Sequence, residues 1–300
     1  SQHMEHDRGS WGSNFGFLLA AVGAAVGIGY FWGCQYKMGS YGGFAFLVIY
    51  LLLVIFVGVV VMLGELSIGR KTGLGAVGAY TKLGKKYKWL GLLGILAAFC
   101  LLAFYNVLGG LVMRYMFGFI LQILGVDGFA GQSGNFFGYI LHDYSGMVFF
   151  HVLFIVCNVV IVMGGIQGGI EKFCTVAMPA LFFMLLFVII YVAFQPGGGQ
   201  GYKDMLTPNF EPISSFSGFL EVLSKAAGQM FFSLSLGMGA IISYGSYLDK
   251  KENLQKNALI IPACDTLIAV MEACAVLPAC AAFGMEYNQG PSLLFNTMQN

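Results

Sequence analysis

The chain has 300 residues, 58% of them hydrophobic and 10% charged, with a formal net charge of +1. Its mean hydropathy is +0.79. Soluble domains carry about 25% charged residues, so an ordinary soluble fold is excluded, and the near-neutral balance gives no sign of a nucleic-acid partner. The composition is that of an all-α, polytopic membrane protein.

Seven apolar runs follow one another: Phe15–Tyr36, Gly43–Leu63, Trp89–Leu124, Met147–Gly165, Phe173–Phe194, Phe219–Tyr247 and Ala258–Phe283. Each meets the requirement of about 20 residues for a helical span. The third is overlong, which predicts a steep tilt or an extension beyond the bilayer. The first is too long for a cleavable signal peptide and lacks a cleavage site. Lys and Arg set the orientation. Arg8, Arg70, Lys71, Lys82, Lys85, Lys86, Lys88, Lys172, Lys250, Lys251 and Lys256 fall on one side, against Lys37, Arg114, Lys203 and Lys225 on the other. The richer side is cytoplasmic, so the N-terminus is expected inside, with external loops at Val126–Gly146 and Pro196–Pro212. Residues 1–10 read as a cytoplasmic tail and 11–300 as the membrane domain.

Two runs are interrupted. Gly228–Tyr247 reads GQMFFSLSLGMGAIISYGSY, with poor helix formers at Leu236-Gly237-Met238-Gly239 and hydroxyls at Ser233 and Ser235 just before them. Ala21–Gly29, AVGAAVGIG, interrupts the first run in the same way. A helix breaks inside a bilayer only where its freed backbone groups find partners or line a wet cavity. Paired Gly-interrupted segments are the sequence pointer to a transporter binding site. The competing reading is a glycine-rich helix packed closely on a neighbour.

Glu65, Asp265 and Glu272 lie within spans, where an ionisable group is costly and faces a cavity or a partner. Asp265 and Glu272 are seven apart and share a helix face. Asp265 reads either as an oxygen ligand for Na⁺ or as a structural hydrogen-bonding group. Glu272 reads as a structural or protonated buried acid, and Glu65 as an ion pair with Arg70 or a cap on a broken helix. His142 and His151 have no ligand partner at useful spacing. The cysteines at 34, 100, 157, 174, 264, 274 and 280 read as buried small hydrophobes, without a disulfide framework or metal site. No catalytic constellation stands out, so the chain is not read as an enzyme.

These residues resemble the neurotransmitter:sodium symporters, especially the bacterial amino-acid members. GQMFFSLSLGMGAIISYGSYL is similar to the family's sixth-helix signature almost residue for residue. Arg8-Gly-Ser-Trp11, AAVGIG, YGGFAF, GELSIGRKTG, GGIQGGIEK, MPAL and GYKDMLTPNF match further along, so the likeness runs from about Arg8 to Phe295. It implies a fold of two inverted five-helix repeats with helices one and six broken, here helices one to seven: a first repeat over about 11–195 and part of the second over about 213–300. The motif GPSLLFNTM opens an external loop in the family, which implies that helices eight to ten lie beyond this chain.

The resemblance also implies roles. The N–H groups of Ile28 and Gly29, with the Tyr105 hydroxyl, would hold a substrate carboxylate. Carbonyls of Ala25, Phe232 and Ser233, with Ser235, would face the amino group. Leu101, Tyr105, Phe232 and Met238 would line the side-chain pocket, with Tyr105 and Phe232 as its lid. A first sodium site would use Ala25, Ser233 and Asp265, and a second the carbonyls of Gly23 and Val26. Arg8, Trp11 and Tyr247 match a cytoplasmic gate. The fixed carboxylate of Asp265 resembles the chloride-independent pattern. The chain departs from the family at Tyr30, where an Asn ligates sodium, at Gly33, where an Arg gates, and at Glu272, where a small residue is usual.

The function implied is Na⁺-coupled symport of a hydrophobic or aromatic amino acid across the plasma (bacterial inner) membrane. Na⁺ is co-transported and no organic cofactor is expected. The alternative is a non-transporting amino-acid binder or regulator with the same fold.

Overall fold

A computed structural model describes residues 10–25, 44–124, 144–194 and 214–282. Every regular element among them is helical. In chain order they are α1 (Asn14–Ala25), α2 (Phe44–Leu53), α3 (Val59–Thr72), α4 (Ala76–Leu83), α5 (Lys88–Ile123), α6 (Tyr144–Met163), α7 (Lys172–Ala193), α8 (Phe216–Ser233), α9 (Ala240–Gly245) and α10 (Leu254–Ala282). A π-helical segment, Val54–Gly58, joins α2 to α3, and another, Ile166–Glu171, leads into α7.

Each apolar run of the sequence is matched by helix. Five stretches among the described residues are long and apolar enough to cross a membrane: Ala45–Thr72, Lys85–Ile120, Ser145–Met163, Ile166–Ala193 and Leu254–Glu272. The first run supplies the shorter apolar helix Asn14–Ala24, and the sixth supplies α8 and α9 with a break between them. The second span runs past the expected Leu63 to Thr72. Glu65 and Arg70 do not stop it because each finds a partner on another element. It ends where Gly73, at φ 67°, donates its N–H back to the Gly69 carbonyl at 2.8 Å, a left-handed cap that glycine adopts without a Cβ penalty. Helix α8 starts at Ser215, whose side chain accepts the Gly218 N–H at 3.0 Å, so a hydroxyl satisfies one of the orphan donors of the first turn.

The core is formed by α1, α2, α3, α8, α9 and α10. Phe17, Phe46, Tyr50, Met62, Leu66, Met230, Leu234 and Ile241 are fully buried there. Helices α5 and α6 pack on each other, and α7 packs on α10 and α1. Outward side chains of α6 such as Phe149, Val152, Val156 and Val160 are exposed, an apolar face that suits contact with lipid tails. Close backbone approach fixes α9 on α3: a Cβ on Gly69 would overlap the Ile242 carbonyl oxygen, and one on Gly245 would lie 2.9 Å from the Leu66 carbonyl oxygen.

Candidate functional site

The break in the sixth span is real backbone, not a kink. Helix α8 ends at Ser233, α9 begins at Ala240, and between them Ser235 (φ 56°), Gly237 (φ 84°) and Gly239 (φ 82°) are left-handed. Glycine tolerates that region, and the SLSLGMG pattern supplies it at two of the three positions. The freed backbone groups find partners. Leu236 donates to the Phe231 carbonyl at 3.0 Å and Ser235 to the Phe232 carbonyl at 3.3 Å. The Gly237 N–H donates to Glu65 Oε1 at 2.8 Å. Glu65 thus acts as the cap on a broken helix. Arg70 instead donates to the Glu252 carbonyl at 2.6 Å, tying α3 to the turn before α10.

The break opens on a cavity of about 320 Å³, lined by Gly23 and Ala24 of α1, Ala98, Leu101, Leu102 and Tyr105 of α5, Phe154 and Asn158 of α6, and Phe232, Ser235 and Met238. Ligand pockets span about 300–1,000 Å³, so this one suits a solute the size of a single amino acid. Ser235 bridges its walls: the hydroxyl donates to the Ala24 carbonyl at 3.0 Å, joining the end of α1 to the break. The rings of Tyr105 and Phe232 lie 6.2 Å apart, tilted by 33°, a contact within the usual range of aromatic pairs.

Six residues expected at the site therefore meet around one cavity: Gly23, Leu101, Tyr105, Phe232, Ser235 and Met238. Ser233 and Asp265 do not line it. Ser233 is buried in the last turn of α8, its hydroxyl accepting from Gln229 Nε2 at 3.0 Å. Asp265 is fully buried in α10. Ala25 is the last residue of α1. Arg8, Val26, Ile28, Gly29, Tyr30, Gly33 and His142 lie outside the described residues. Of the residues expected at a gate, Trp11 and Tyr247 come together: the Trp11 N–H donates to the Tyr247 carbonyl at 3.3 Å, and Trp11 Nε1 to the Tyr244 carbonyl at 2.9 Å. Glu272 is fully buried, and neither of its carboxyl oxygens has a hydrogen-bond partner among the described residues.

The sequence reading missed Ala98, Leu102, Phe154 and Asn158. Two signals were available. Ala98, Leu101, Leu102 and Tyr105 recur at i, i+3, i+4 and i+7, one face of a helix. Asn158 is a lone amide in the apolar run of α6, and it donates to Asn106 Oδ1 at 3.2 Å. Gly94, one turn before Ala98, was missed too: a Cβ there would lie 3.1 Å from the Met238 carbonyl oxygen, so this glycine lets α5 approach the break.

A helix interrupted at mid-span, capped by a carboxylate and open on a largely apolar cavity, defines the class of broken-helix membrane transport folds. The comparisons place the chain within that class. The sequence model of the sodium:neurotransmitter symporter family matches residues 8–126 and 140–289; the chain belongs to this family. It is 32% identical to the sodium-dependent transporter YhdH of Bacillus subtilis over 96% of this chain and 63% of that protein. It is 34% identical to a sodium-dependent transporter of Haemophilus influenzae over 97% of this chain and 65% of that protein. The crystal structure of MhsT in complex with L-phenylalanine superposes with a TM-score of 0.86 at 34% identity, over 97% of this chain and 66% of that one. The chain thus spans somewhat less than two thirds of the length of these relatives.

Proposed function

We propose that the protein is a Na⁺-coupled symporter of a hydrophobic or aromatic amino acid, acting independently of chloride in the plasma membrane with its N-terminus in the cytoplasm. The observation that carries this reading is the break at Leu234–Gly239, whose Ser235 and Met238 line a cavity that Leu101, Phe232 and Met238 make apolar. A zwitterion needs both parts of such a site: aligned backbone dipoles for its charged ends and an apolar wall for its side chain. The phenylalanine in the MhsT structure supports the substrate class.

In this reading Ile28, Gly29 and Tyr105 hold the carboxylate. Ala25, Phe232, Ser233 and Ser235 face the amino group. Ala25, Ser233 and Asp265 hold one sodium ion, and Gly23 and Val26 contribute to a second. A carboxyl at the buried Asp265 offers the hard oxygen that Na⁺ prefers, which supports the cation role, and a fixed negative charge there supports independence from chloride, since two anions close together repel. Uptake of labelled phenylalanine and leucine by proteoliposomes tests the proposal. Uptake should require an inward Na⁺ gradient and survive replacement of chloride by gluconate. Uptake indifferent to Na⁺ would remove the coupling.

The departures at Tyr30 and Gly33 favour a second reading, a binder or regulator that does not transport. A thermal-shift series separates the two. Stabilisation by amino acid and Na⁺ without uptake is the result expected of the binder.

A further inference from the structure

Charge is spread unevenly along the chain. Between Glu65 and Asp127 the sequence holds no acidic residue, yet it carries seven Lys and Arg residues. Four of them, Lys82, Lys85, Lys86 and Lys88, crowd the corner between α4 and α5. The basic loop before α10 differs. There Lys250 and Lys251 stand between Asp249 and Glu252, so the charge is partly neutralised on the spot.

The corner is firmly held and faces outward. A Cβ on Gly91 would lie 2.6 Å from Val77 Cα, so α4 and α5 pack backbone to backbone. Lys82 Nζ donates to the Thr72 carbonyl at 3.3 Å and ties the end of α4 back to α3. Lys85, Lys86 and Lys88 lie in and beside the short 3-10 turn Lys85–Tyr87, which buries no residue. All three are exposed, and so are Leu83, Tyr87, Trp89 and Leu90 around them. Lys86 Nζ lies 5.1 Å from the centre of the Tyr87 ring.

The place of this corner decides what it meets. The membrane-length stretch Lys85–Ile120 begins here, so the lysines stand at the head of a span. Trp and Tyr at that level seat their rings among lipid headgroups. Lysine stems lie along apolar surface while their amines reach the polar layer. A soluble acidic partner would match the lysines but leave Leu83, Trp89 and Leu90 in water. A leaflet of anionic lipids satisfies both.

We propose that the α4–α5 corner is a docking surface for the phosphodiester headgroups of anionic phospholipids: Lys85, Lys86 and Lys88 hold the charge, and Tyr87 and Trp89 anchor the corner beside them. The surface takes from the transport reading only its membrane setting.

Trp89 reports on the surface itself. The protein is reconstituted in phosphatidylcholine bilayers in which a rising fraction is dibrominated phosphatidylglycerol or dibrominated phosphatidylcholine. Quenching is read against a Trp89→Phe blank. Each lysine near an anionic leaflet changes binding about fivefold, so phosphatidylglycerol should quench Trp89 at a fraction roughly tenfold or more below that of phosphatidylcholine. The triple variant Lys85→Gln, Lys86→Gln, Lys88→Gln should bring the two lipids within about twofold of each other. The same three positions changed to Arg should keep the preference, which separates charge from misfolding. Lys250→Gln, Lys251→Gln, Lys256→Gln removes as much charge around the start of α10 and should leave the preference intact. Equal quenching by the two lipids in the parent, or a preference that survives the Gln variant at the corner, would overturn the proposal. An equal loss in the variant near α10 would also overturn it, because the attraction would then belong to diffuse charge. Displacement by inorganic phosphate would assign the corner to a soluble anion instead. The quenching readout does not involve the solute carried. A protein that takes up amino acid without lipid preference loses only this surface, and one with the preference but no Na⁺-dependent uptake loses only the transport reading.

Discussion

The fifth and sixth spans are both irregular, and they resolve the irregularity in opposite ways. Over Leu234–Gly239 the chain leaves the helix altogether, three residues turn left-handed, and the Gly237 N–H must find Glu65 on another helix. Over Ile166–Glu171 the chain stays helical in a wider turn, and left-handed backbone is confined to Gly165, at φ 78°, just before it. Wider turns keep their hydrogen bonds within the segment and re-aim side chains. A full break exposes backbone groups, which at membrane depth is tolerated only against protein or a cavity. The first interruption therefore lines a cavity, and the second aims one carboxylate at α1.

This contrast can be broken by substitution, and the largest effect is expected where the break depends on a distant partner. Glu65→Ala removes the charged acceptor of the part-buried Gly237 N–H and should lower stability by about 2–3 kcal/mol, whereas Glu65→Gln, which keeps an acceptor, should cost about 1 kcal/mol; thermal unfolding in detergent reads the difference. Equal losses would mean that the cap is not what holds the break.

The π-helical segment is tested by two neighbouring glycines. A Cβ on Gly169 would overlap the Ile161 carbonyl oxygen, while one on Gly168 meets nothing within 4 Å. Gly169→Ala should therefore cost about 2 kcal/mol by overpacking, and Gly168→Ala should stay within about 0.5 kcal/mol of the parent. Similar melting temperatures for the two would show that the wide turn is not packed as described.

Within the break, Gly237→Ala forces an L side chain into the left-handed region at a cost of about 1–2 kcal/mol, although a Cβ there meets open space. Its melting temperature should fall by less than that of Glu65→Ala. The smallest effect is expected for Ser235→Ala. It removes one hydrogen bond, to the Ala24 carbonyl at 3.0 Å, and should weaken amino-acid binding by about fivefold, or 1 kcal/mol, in an equilibrium binding assay. A loss of a hundredfold would mean that the hydroxyl meets the solute itself.

Much of this architecture was legible in the chain. Every apolar run became a helix where the structure describes it, because in a bilayer the backbone has little choice but to bond within its own segment. The interruption at SLSLGMG was legible because glycines mark positions where left-handed backbone is cheap. For Glu65 the sequence allows both an ion pair with Arg70 and a cap on a broken helix. Proximity in sequence favours the pair, and only folding brings Gly237, 172 residues away, into reach. Asn158 and Phe154 escaped notice because an apolar helix carries no label saying which face meets a cavity and which meets lipid.

The sequence by itself determined the order of the apolar helical runs, the place where the sixth would break, and the family. These follow from hydropathy, glycine placement and local motif, all properties of contiguous residues. Only the tertiary structure decided that Glu65 caps the break, that α6 completes the cavity wall, and that Glu171 sits on the first turn of α1. Each of those is a contact between residues far apart in the chain, set by how closely glycine-bearing helix faces approach one another, which no local pattern encodes.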